Sequence, residues 1–122
     1  LLGVFFEEQD KFVEAEHYFT ESLAIMKQLG DRQGEGIAQF NIGNTLLYSN
    51  QLEKAGEKFE LSLRLAKTVN DHEGHADALI QLAAVAEHQQ NMQRRQTLLA
   101  EAAAVLRKNN IPVTGWLQEN GF

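Results

Sequence analysis

The densest group of potential metal ligands in this sequence is His72-Glu73-Gly74-His75, flanked by Asp71 and Asp77. Its two histidines stand three residues apart, a spacing that shares one face at a helix start. It is not the His-Glu-x-x-His pattern of zinc hydrolases, whose histidines are spaced one position wider. Asp71 also has a competing role, because Asp31 precedes a matching stretch and both can cap a helix that follows. Arg32 and Gln33, next to Asp31, cannot bind a metal. The group therefore reads as a capping turn, and no metal is expected. Gly34-Glu35-Gly36 follows no strand pattern and carries no Lys-Ser/Thr pair, so it is no phosphate loop. His17 is a lone histidine on a helical pattern, and no serine, histidine and aspartate combine into a nucleophile arrangement. No catalytic residue and no cofactor are expected.

Composition narrows the remaining classes. The 122 residues suffice for one compact domain, and 43% of them are apolar, which argues against disorder. Seventeen acidic residues against eleven basic ones leave a net charge of −6. Nucleic-acid binding is disfavoured, because neutralising phosphates needs clustered cations. The basic density at Arg94-Arg95 and Arg107-Lys108 is sparse. The longest apolar run is five residues, Ala102 to Leu106, so no membrane partner is expected. The absence of cysteine and of a signal peptide points to a cytoplasmic setting.

The elements that must position any site come from internal repetition. Comparing residue i with residue i+40 gives nine identities within the first 38 residues, among them Gly3/Gly43, Ala15/Ala55, Phe19/Phe59, Ser22/Ser62, Asp31/Asp71 and Gly34/Gly74. A further shift places Leu82 on Ile42, Leu99 on Phe59 and Ala103 on Leu63. Three units follow, at about 1–30, 31–70 and 71–110, the third the most drifted. In the middle unit, Asp31 opens a helix that runs to about Ser49, and Asn50-Gln51 interrupts it. A second helix from Leu52 to Val69 carries Leu52, Ala55, Phe59, Ser62, Leu63 and Ala66 on one stripe. The same pattern predicts helices near 1–9, 11–29, 74–90 and 91–109. Connections this short force neighbouring helices into antiparallel hairpins.

These residues resemble the tetratricopeptide repeat. Leu2-Gly3, Phe6, Ala15 and Phe19 match its pattern in the first unit, and Ile42-Gly43, Leu46, Ala55 and Phe59 in the second. The third unit offers Leu82-Ala83, Ala86, Arg95 and Leu99. The resemblance covers residues 1 to about 108. It implies an all-α solenoid of three antiparallel helix hairpins in a right-handed superhelix. The period of 40 is longer than the usual one. It resembles the longer-repeat branch found in adaptor proteins and bacterial regulators. Arg95 stands where the family has alanine, which predicts a looser third hairpin or one whose far side faces water. Pro112 stops the last helix, and the tail 111–122 is expected to cap the array through Trp116 and Leu117. The pattern opens inside a helix, as in a segment of a longer chain.

The first helix of the middle unit has two faces to explain. Ala38, Ile42, Gly43 and Leu46 form its inner stripe. Ile37, Phe40, Asn41, Asn44, Leu47 and Tyr48 form a second face of apolar and amide residues, where a surface helix would carry charges. The resemblance makes this the ligand face, with Asn41 and Asn44 placed to hold a peptide backbone. Asp77, Gln81, Glu87 and His88 extend it on the third unit, and Val4, Glu7 and Glu8 on the first. The basic residues that grip a carboxylate terminus in some family members are missing. The expected function is a non-catalytic protein-protein interaction module that binds a neutral-to-basic peptide segment of a partner in its concave groove. Self-association is possible in such a chain. The alternative is a sensory tail of a larger bacterial regulator or signalling ATPase, binding a small ligand or its own effector domain.

Overall fold

The computed structural model of the chain describes the backbone of residues 2–113 and 115–122, and side chains in the first helix from Asp10 onward. It contains α1 (Leu2–Leu29), α2 (Arg32–Tyr48), α3 (Leu52–Thr68), α4 (His72–His88), α5 (Met92–Lys108) and the short α6 (Trp116–Glu119). No strand occurs among the described residues. Each helix from α1 to α5 packs on the next, and α2 also touches α4.

The backbone repeats every 20 residues, half the period visible in the sequence. Helices α2 to α5 each span 17 residues and start 20 apart. Gly30, Asn50, Asn70, Gln90 and Asn110 all stand in the left-handed region, with φ between 58° and 69°. At every one of these turns two amides reach back to the helix just ended. Gln51 N–H donates to Leu46 C=O at 2.8 Å, and Asn50 N–H to Leu47 C=O at 3.0 Å. Asp71 and Asn70 do the same toward Ala66 and Lys67. This double closure is the Schellman turn, which asks for one left-handed residue. The next residue then caps the following helix. Asp31, Asp71 and Asn91 accept from the amides of Gly34, Gly74 and Arg94 at 2.8, 2.9 and 3.1 Å. Gln51 makes no such bond. Ile111 holds the equivalent place without a side chain that could cap, and the chain leaves the pattern until α6.

The first unit departs from the sequence expectation. The break predicted near residue 10 is absent, and α1 runs unbroken through it. The described residues therefore hold two hairpins, α2–α3 and α4–α5, preceded by one long helix. Gln9-Asp10-Lys11 contains no Gly, Asn or Pro to favour a turn, and its neighbours are compatible with helix.

The core runs between the hairpins. Phe59, Leu79 and Leu99 are the largest side chains buried almost completely, joined by Ile42, Leu46, Leu82 and Leu106. A Cβ on Gly43 would come within 2.7 Å of the Phe59 ring, so the small residue there admits an aromatic ring. Ala55 is buried as well, but it is Phe59 that fills the space against Gly43.

Arg95 corrects a further expectation. It does not turn its side chain to water. Its side chain is only 14% exposed, and its Nε lies 3.5 Å from a Glu87 carboxylate oxygen. The guanidinium stacks over Trp116, 5.5 Å from the ring centroid. Leu117, beside that tryptophan, is buried in the core. Arg107 donates to the backbone oxygen of Phe122, a second tie on the same tail.

Candidate functional site

A cleft of about 420 Å³ opens between α2 and α4, with α3 as its floor. Gln33, Gly36, Ile37, Phe40 and Asn41 line it from α2, Ser62 and Ala66 from α3, and Asp71, Glu73, Gly74 and Asp77 from the start of α4. The walls differ in chemistry. Ile37 is 53% exposed on the α2 side. Phe40 is half-buried and packs edge-to-face on Phe59, ring centroids 5.6 Å apart. One ring therefore serves both wall and core. The α4 wall carries three carboxylates, and Asp71 is already engaged in capping Gly74. Burial, then the charge of Glu73, then that of Asp71, raise the pKa of Asp77 above its ordinary value. A cation entering the cleft would relieve that repulsion. The floor consists of small residues, which leave room above α3.

A second cleft, about 190 Å³, lies among α4, α5 and α6, lined by Ile80, Gln81, Ala83, Ala84, Glu87, Arg95 and Trp116. Between the two clefts Gln81 Nε2 donates to Asn44 Oδ1 at 2.9 Å. This amide pair ties α2 to α4.

The ten residues expected on this face are thus divided. Ile37, Phe40, Asn41 and Asp77 meet in the first cleft, and Gln81 and Glu87 in the second. Asn44 holds the bridge, so its carbonyl is committed to Gln81. Leu47 packs against the core. Tyr48, 76% exposed, and His88 stand at matching places in the last turns of α2 and α4, and line neither cleft. The acidic flank expected at Glu7 and Glu8, with Val4, falls outside the described side chains. Sequence reasoning missed Asp71 and Glu73 as cleft residues, since Asp71 was accounted for as a cap. It also missed Ser62 and Ala66, whose small size four residues apart was the available signal. Among the described residues, no three His, Asp or Glu side chains come together as a metal ion would need.

A family model for the tetratricopeptide repeat matches residues 1–68. The chain belongs to the tetratricopeptide-repeat family. No curated protein matches it. The match ends with α3, yet the 20-residue backbone period of this tetratricopeptide-repeat chain continues through α5. Tetratricopeptide repeats are typically non-catalytic protein-interaction modules, and protein partners are what the family implies. No helix among the described residues is long and apolar enough to cross a membrane.

Proposed function

We propose that the cleft between α2 and α4 is a peptide-binding groove, in which a non-catalytic module holds an extended, neutral-to-basic segment of a partner protein. The observation that carries this reading is the cleft's pairing of an apolar wall, Ile37 and Phe40, with an acidic one, Glu73 and Asp77. A segment alternating apolar and basic side chains would satisfy both walls. Its backbone would meet Asn41, whose amide offers a donor and an acceptor. The residues 1–110 form the binding array, and the tail 111–122 caps it.

A library of linear peptides displayed on phage tests this. Selected peptides should be enriched in Lys or Arg next to an apolar residue, and should bind more weakly as salt rises. Asn41→Ala should weaken them by about 1–3 kcal/mol, the cost of an unpaired buried amide. Peptides indifferent to Asn41→Ala and Asp77→Asn, but lost in Glu60→Lys on α3, would move the site elsewhere. A second reading, a sensory site for a small ligand, draws on the cleft's volume, which lies within the range of ligand pockets. Failure to select any peptide, with saturable stabilisation by a small cation, would favour it.

A further inference from the structure

The first turns of α4 divide their charge by side. Glu73 and Asp77 face the groove, while His72 and His75 line a separate cavity of about 320 Å³. That cavity lies where the C-terminal ends of α3 and α5 meet the N-terminal end of α4. Lys67 of α3 and Lys108 of α5 line it too, together with the side-chain amides Asn70 and Asn109. Four basic groups thus surround one hollow in a chain of net charge −6. Among the described residues, none of the four takes part in a salt bridge.

Helix ends explain half of this arrangement. Lys67 and Lys108 stand in the last turns of their helices, where cations are favoured. His72 and His75 stand at the start of α4, where the helix favours the opposite charge. The repeat supplies an internal comparison. One unit earlier the corresponding positions are Lys27, Arg32, Glu35 and Thr68. There a carboxylate replaces an imidazole and a hydroxyl replaces an ammonium. The fourfold basic cluster therefore belongs to this junction and is no by-product of the repeat.

We propose that this cavity is an anion site, taking a small multivalent oxyanion of the phosphate type between the ammonium groups of Lys67 and Lys108 and the imidazoles of His72 and His75. Phosphate chemistry suits the place: several acceptor oxygens can take N–H donors from three helices at once. The site is separate from the groove and stands whether or not the groove binds peptide. Its pH dependence follows from the groups that face His75. Burial and Lys67 lower its pKa, Glu101 of α5 opposes them, and His72 adds to the lowering. Lys108 lines the cavity from the same side as Glu101. An anion favours the imidazolium, so binding tightens as pH falls below the ordinary histidine value of 6.5.

The test is a titration of the protein with inorganic phosphate, following histidine ring resonances by NMR, with chloride at matched ionic strength as reference. The expected result is saturable movement of the His72 and His75 signals, with His17 and His88 unmoved, and, with sulfate, which stays divalent throughout, tighter binding at pH 6 than at pH 8. Lys67→Ala, on an exposed side chain that leaves the core intact, should weaken binding by about tenfold, the loss of one charge-assisted contact. His75→Glu, which installs the earlier unit's residue, should abolish it. Repeating the titration with O-phosphoserine assigns the source: tighter binding than phosphate indicates a phosphate carried on a partner's side chain, weaker binding a free anion. Linear shifts, equal shifts in chloride, or shifts unchanged by Lys67→Ala would overturn the proposal and leave the lysines as helix-end charges.

Discussion

Gln39 and Leu79 occupy the same place in successive first helices, and both are buried, 5% and 2% exposed. Leu79 joins the core cluster. Gln39 carries its Oε1 into the interior without a hydrogen-bond partner among the described residues. The two units therefore share a backbone but not a quality of packing. α4 is enclosed by α3 and α5, both built to the repeat. α2 has α3 on one side and the long α1 on the other. The turns and the 17-residue helix length are the same in both units although one interior position changes from polar to apolar, so the period survives that change. A polar residue stands inside one unit while the caps and Schellman turns of the two units match.

The largest effect that would break this view is at the core both units share. Phe59→Ala should cost about 3–5 kcal/mol, from lost burial and a cavity between two hairpins. Gly43→Leu should be at least as harmful as the usual ~1–3 kcal/mol of overpacking, since its first side-chain atom already meets the Phe59 ring. Urea denaturation measures both. If each variant unfolds at the parent's midpoint, the packing described here is wrong.

Gln39→Leu sharpens the comparison from the other side. It copies the later unit into the earlier one and removes a buried unpaired acceptor. Stability should rise by about 1–3 kcal/mol. A fall would mean that leucine cannot fit where α1 packs on α2, and that the two junctions differ in shape as well as polarity.

A smaller effect is expected at Asn44 and Gln81, the pair that ties the two units together. Either alanine variant should cost about 1 kcal/mol, and the double variant little more than one of them, because they lose the same bond. Additive losses in a thermal-melt cycle would show that the bond does not form in solution.

The smallest concerns pH. The folded protein holds the pKa of Asp77 above its ordinary value, so protonation favours the folded state. Its favourable contribution is complete below the carboxylate's unfolded pKa and is lost as pH rises through the folded one. Asp77→Asn should therefore raise the melting temperature slightly at pH 7 and leave it unchanged near pH 3. Equal shifts at both values would assign the effect to something other than charge.

Much of the fold was legible without coordinates. Asp31 and Asp71 declared helix starts, and Asn50 declared a turn, because these side chains stabilise local backbone conformations wherever they occur. Phe59 showed through the apolar stripe of its helix, and Leu99 as its counterpart in the repeat; both are buried. The unbroken α1 was not legible, because the neighbouring units invited a break at Asp10 that its own residues do not require. Of the residues expected on one face, Ile37, Phe40, Asn41 and Asp77 line the cleft between α2 and α4, while Tyr48 and His88 line neither cleft.

What the sequence determined by itself is therefore the order of helices, the residues that cap them, and which side of each helix is apolar. Each of these depends on residues within about one turn of one another, or on a period that repeats. Only the tertiary structure decided that Asn44 spends its carbonyl on Gln81, that Arg95 covers Trp116, and that Asp71 and Glu73 make the far wall of the α2–α4 cleft acidic. It also brought Lys67, His72, His75 and Lys108 around one cavity from three helices. Periodicity reports the angle at which a side chain leaves its helix; what it meets there is set by the distance and tilt of the neighbouring helix, and no spacing along the chain encodes that.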